Sequence, residues 1–231
     1  MDNKNLGQIE MNYIDDDPLK IKQQLRWFKD HFQEIGYENL SIVNTIIKRI
    51  IFIKVSTAKS DRFMNSIIYD ALCCLNNIKV NHTRYFYFSY RSLIENVARC
   101  CLEKSADDET RITPLFQALR DKLSNHQVYS QDIYSDFMKE YSDACGYIHN
   151  NQASGLNVML SYSKIMEPEP LTSDEIKSLL NQLLSLLENS IRALSLCRKE
   201  DMLRNIGRNH LFIPELLPKT ISCVFVPNLS R

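Results

Sequence analysis

Along most of the chain, hydrophobic positions recur every three or four residues, the period of an amphipathic helix. Asp17 and Pro18 form an N-cap and first-turn pair, after which Ile21, Leu25, Phe28, Phe32 and Ile35 share a face until Gly36. From 39 to about 57, Leu40, Val43, Ile46, Ile47, Ile50, Ile51 and Val55 make an apolar face too wide for one-sided exposure, so this helix should be central. Ser60 and Asp61 can cap a third helix carrying Phe63, Met64, Ile67, Ile68, Ala71, Leu72, Leu75 and Ile78. A fourth begins at 81–83, runs to about 104 and should pair antiparallel with the third.

Thr113 and Pro114 start a shorter helix to about Ser124, and Ser130 starts another that places Phe137, Tyr141, Ala144 and Ile148 on one face and ends near His149. Thr172 to Glu175 reads as a capping box. Behind it Ile176, Leu180, Leu183, Leu187, Ile191 and Leu194 form the seam of the longest helix, to about Arg198. The pattern then changes. Residues 201–231 place short apolar pieces around Pro214, Pro218 and Pro227, and Ser-Cys-Val-Phe-Val at 222–226 reads as a strand or extended arm. The expected organisation is an acidic segment 1–17, an all-α bundle 18–200, and an irregular tail 201–231.

Composition narrows this further. Only 5 Gly in 231 residues disfavours hairpin-rich sandwiches and Gly-rich nucleotide loops. The chain opens on polar and acidic residues where a secretory signal needs a basic start and an apolar run, so a cytoplasmic protein is expected. The most apolar stretch, 46–55, is broken by Lys48, Arg49 and Lys54 and is too short to span a membrane. Seven Cys include the adjacent pairs Cys73-Cys74 and Cys100-Cys101 and no C-x-x-C motif, which reads as reduced thiols. The His are scattered at 31, 82, 126, 149 and 210, so neither a metal site nor a cofactor is expected. A small-molecule enzyme has no Gly-rich loop or nucleophile motif to support it.

Helix four carries the candidate chemistry. Arg84, Phe88, Arg91, Glu95, Ala98 and Leu102 line one face, with Arg91 and Glu95 at the i, i+4 spacing of an ion pair. That pair is either structural or a phosphate-binding arginine with its orienting carboxylate. Tyr85, Phe86, Tyr87, Phe88 and Tyr90 fit core packing at this density, with base stacking as the alternative.

Three segments together carry a family resemblance: D-A-x-x-x-L from Asp70 to Leu75, Y-F-x-x-R-S-L-I-E-N-x-x-R from Tyr87 to Arg99, and Y-S-x-x-x-x-Y-I-H from Tyr141 to His149. Over about residues 60–200 the chain resembles the HEPN superfamily, in particular its divergent bacterial members associated with abortive infection and phage defence. The resemblance implies a small helical bundle, usually dimeric, in which an Arg followed after four to six residues by a His cleaves RNA without metal. The Arg holds the scissile phosphate, and the His is general acid or base on the 2′-hydroxyl.

Arg26 to His31, Arg120 to His126 and Arg204 to His210 fit that spacing. Arg26 lies on a solvated helix face. Arg204-Asn205 to His210 matches the wording best, yet it follows the last long helix where the family places its motif before one. His149 is well placed, but Ser142, Asp143 and Ala144 occupy the Arg spacing. Two readings remain open. In one, Arg91, oriented by Glu95, supplies the guanidinium in space and His149 the acid/base; in the other, the active pair is lost and the domain is a binding or assembly module.

The 28 basic and 28 acidic residues cancel between ends, with residues 1–17 net −4 and 189–231 net +4. Expected partners are therefore RNA, a second copy of the chain or another defence-system protein, with no membrane.

Overall fold

The structure is a computed structural model that describes residues 18–58, 60–125, 130–149, 166, 168–207 and 212–225. Every regular element among these residues is helical. Helix α1 (Pro18–His31) turns through a short 3-10 segment, Gln33–Ile35, into α2 (Tyr37–Val55). The reversal passes through Gly36 at φ 87°, a conformation that a side chain would strain. Helix α2 is the central element anticipated from its wide apolar face: Val43, Ile46, Ile47, Phe52 and Ile53 are at most 1% exposed, and the helix packs on α1, on Arg62–Lys79 (α3) and on the long helix Ser173–Cys197 (α7).

Asp61 caps α3 (Arg62–Lys79) by accepting from the Met64 backbone N–H at 3.0 Å. A tight turn leads into α4 (Thr83–Cys101), and α3 and α4 form the most extensive helix pair in the fold. Asn81 sits in that turn at φ 59°, which Asn tolerates, and its side-chain oxygen accepts from Leu171 N–H at 3.0 Å. The residues leading into α7 are thereby tied to the α3–α4 turn. Helices α5 (Ile112–Ser124) and α6 (Ser130–His149) pack on each other and on α4.

Helix α7 (Ser173–Cys197) starts at the expected capping box: Thr172 accepts from Glu175 N–H, and the Glu175 carboxylate accepts from Thr172 N–H at 2.8 Å. Its leucine seam, from Leu179 to Leu194, runs through the core against α2, α3, α4 and α6. Between α2 and α7, Arg49 is 6% exposed. It pairs with Glu188 at 2.8 Å and donates to the Leu216 carbonyl, so one buried cation joins three parts of the chain.

The reading of 222–226 as a strand or extended arm is corrected within the described residues. The tail folds as α8 (Lys199–Ile206), α9 (Ile213–Leu216) and α10 (Lys219–Phe225). Met202, Ile206, Ile213, Leu216, Ile221 and Phe225 belong to the same core cluster as α2. Phe225 meets Phe52 edge-to-face with centroids 5.1 Å apart, and that burial selects helix over the β-prone local sequence. No described helix is long and apolar enough to cross a membrane.

Candidate functional site

The site singled out in the sequence lies where α4 meets α6. Glu95 is its centre: Arg91 Nε donates to Glu95 Oε1 at 3.0 Å, and Tyr141 Oη donates to the same oxygen at 3.1 Å. Arg99 approaches Oε2 at 3.6 Å and reaches Asp108 at 3.5 Å on its other side. The Arg91 guanidinium also covers the Tyr141 ring at 5.5 Å. Burial opposes the charge on Arg91, but the Glu95 hydrogen bond and the neighbouring Tyr141 outweigh it and leave the guanidinium pKa above its ordinary value. Burial and the Glu95 charge raise the Tyr141 phenol, which stays protonated and donating. The Arg91 side chain keeps 31% exposure against 18% for Glu95, so part of it still faces solvent.

Deeper in the same seam lies a group that sequence reasoning missed. Tyr90, fully buried, donates to Glu140 Oε2 at 2.9 Å, and Gln182 of α7 donates to the same oxygen at 2.9 Å. Burial, then Glu140, raise the Tyr90 phenol. One turn earlier in α6, Asp136 accepts from Asn189 at 3.0 Å. The available signal was two polar residues, Gln182 and Asn189, interrupting the leucine seam of α7. Residues that carried the family resemblance also meet across α3 and α4: Asn96 donates to Asp70 Oδ2 at 2.8 Å, and burial raises the Asp70 carboxyl above its ordinary value against hydrogen bonds from Ser92 and Asn96.

The aromatics of α4 divide. Phe86 and Tyr90 are in the core, as packing density suggested, whereas Tyr85 and Phe88 are 52% and 43% exposed. Arg84 covers the Phe88 ring at 5.9 Å. Tyr85, Phe88, Arg84 and the partly exposed Arg91 therefore form an outward strip of rings and cations.

Register decides which of these stands near the end of α6. Tyr141 lies beside Arg91 and Glu95, and the Tyr147 ring meets Tyr87 in a tilted contact with centroids 4.2 Å apart, so the two helices run antiparallel. His149, the last residue of α6, is eight positions beyond Tyr141, about 12 Å further along the axis at 1.5 Å per residue. That is the level of Arg84 and Tyr85, more than two turns from the carboxylate that holds Arg91. Arg91 and Glu95 are thus brought together, and the arginine at the level of position 149 is Arg84, which lay on the predicted face but was not singled out. The His149 side chain is outside the described residues.

Of the spaced pairs, Arg204 is exposed on α8 and paired with Asp201 at 3.3 Å, while His210 lies outside the described residues. The same holds for Arg120, exposed on α5, and His126. On α1, the His31 ring stacks on Trp27 at 4.8 Å, and Arg26 is exposed beside them. No group of three or more His, Cys, Asp or Glu side chains able to hold a metal ion occurs among the described residues. No protein-family model matches the chain, and neither a curated protein nor a solved structure is significantly similar to it.

Proposed function

We propose that this chain is a HEPN-like helical protein of a bacterial antiviral-defence or toxin-type system that acts in the cytoplasm and cleaves or binds RNA by metal-independent chemistry. The observation that supports this reading is the shared level of α6's end and the outward strip of α4, position 149 lying at the height of Arg84 and Tyr85 along the helix axis. Exposed rings give bases a stacking surface, and the two guanidinium groups attract phosphate. In this arrangement Arg84, with Arg91 one ring further along, holds the phosphodiester, and His149 moves a proton to or from the 2′-hydroxyl. Glu95 and Tyr141 position Arg91 by fixing its inner edge. The experiment is incubation of single-stranded RNA with the purified protein in chelator. Cleavage that His149→Ala abolishes and Arg84→Ala lowers by at least tenfold supports the reading; intact RNA across sequences removes the nuclease claim.

One observation favours a second reading, a catalytically inactive module that assembles with a second copy or another defence component. Glu95 already satisfies Arg91, Arg99 and Tyr141 at once, which is how a structural staple is built. Under that reading His149→Ala and Arg204→Ala leave function intact in cells, and charge reversal on the α4 strip abolishes partner capture.

A further inference from the structure

Between the outward faces of α3 and α4 lies an open groove of about 670 Å³, lined by polar side chains of both helices. Arg62, Ser66, Tyr69 and Asp70 enter it from α3, and Ser92 and Asn96 from α4. It continues the strip of exposed rings and cations described above. Phe88, Ser92 and Asn96 stand four residues apart on one side of α4, about 6 Å per step at 1.5 Å per residue.

The Asn96 amide donates to Asp70 Oδ2 at 2.8 Å and to Ser92 Oγ at 3.4 Å, which fixes the carboxylate across the two helices. An ionised carboxylate has about four acceptor positions, so Asp70 keeps acceptor capacity beyond Asn96. Arg62 spends one N–H on the Ala106 carbonyl and brings the rest of its donor fork to the groove. Tyr69 is 69% exposed and offers its ring there. Among the four RNA bases, only guanine sets two N–H donors side by side on its Watson–Crick edge, N1–H and the 2-amino group. A single carboxylate can accept both. Adenine and cytosine place a ring acceptor beside their amino group, and uracil has one N–H between two carbonyls, so each turns a lone pair toward such a carboxylate. Guanine O6, next to N1, needs a donor, and Ser66 stands one turn before Asp70 on α3.

We propose that the α3–α4 groove recognises one unpaired guanine of single-stranded RNA, with the Asp70 carboxylate accepting from N1–H and the 2-amino group and Tyr69 stacking on the base. This rests on the reading of the α4 strip as an RNA surface. It adds a base preference, which stacking on Tyr85 and Phe88 does not supply.

The test titrates full-length His149→Ala protein into labelled oligouridine RNAs that differ at one central position, which holds guanosine, inosine or adenosine. Inosine keeps N1–H and O6 and lacks the 2-amino group. The expected result is that the guanosine RNA binds about tenfold more tightly than the adenosine RNA, with inosine between them. Adding Asp70→Asn brings the three affinities together. Should that variant fail to fold, ultraviolet cross-linking of the same protein to RNA carrying 6-thioguanosine at the central position decides: a cross-link on the α3 peptide that contains Tyr69 supports the site, and one confined to other peptides overturns it. Equal affinity for the three RNAs, or a guanosine preference that survives Asp70→Asn, overturns this proposal and leaves the RNA-binding reading standing. Absence of binding to every RNA removes that reading and this proposal with it.

Discussion

Glu95 carries more of the α4–α6 seam than Arg91 does. Removing Arg91 leaves Glu95 with Arg99 and Tyr141, so Arg91→Ala should cost about 1 kcal/mol, as for a partly exposed pair. Removing Glu95 strips two cations and a phenol of their common acceptor, and Glu95→Ala should cost about 2–3 kcal/mol; urea denaturation of both variants measures the difference. Asp70 sets a pH dependence on the acid side. Its folded pKa is raised, so the folded state binds the proton more tightly than the unfolded state does. Stability is fullest below the unfolded carboxyl pKa and falls as pH rises through the folded one, a slope that Asp70→Asn should flatten in melts between about pH 3 and 6. The Arg91–Glu95 pair was legible because its partners are four residues apart on one helix. Arg49 with Glu188, Tyr90 with Glu140, and Arg198 with Asp61 were not, because only the packing of distant helices brings them together.

Helix boundaries were the most legible layer wherever a cap or a sustained period marked them. The α7 capping box read correctly from Thr172 and Glu175, and Thr172→Ala should cost about 1 kcal/mol in thermal or urea unfolding. The failure fell at α10, where five residues rich in β-branched and aromatic side chains are too few to show a period. The signal for helix was outside that window: Ile221 and Phe225 are four apart and both buried, and the Pro218 carbonyl accepts from Ile221 and Ser222 at the helix start. Phe225→Ala should therefore cost about 3–5 kcal/mol, where an extended arm free of the core would lose almost nothing. Deleting 201–231 removes core residues from Met202 to Phe225, so such a truncation reports on folding before it reports on partners.

For the molecule as a whole, zero net charge argues against a protein built around phosphate neutralisation, and the α4 strip supplies only two cations, Arg84 and Arg91. On the proposed function, RNA bound through that strip would be held largely by stacking on Tyr85 and Phe88, with a shallow dependence on salt. The most direct measurement is a fluorescence-anisotropy titration of labelled single-stranded RNA in chelator at several salt concentrations, using His149→Ala so that the RNA stays whole. The account predicts a log–log salt slope of about −1.4 for two phosphate contacts, falling to about −0.7 in a variant that also carries Arg84→Ala. It also predicts at least tenfold weaker binding when Phe88→Ala is added instead. Absence of binding at low salt, or the same slope and affinity with and without Arg84 and Phe88, would contradict it.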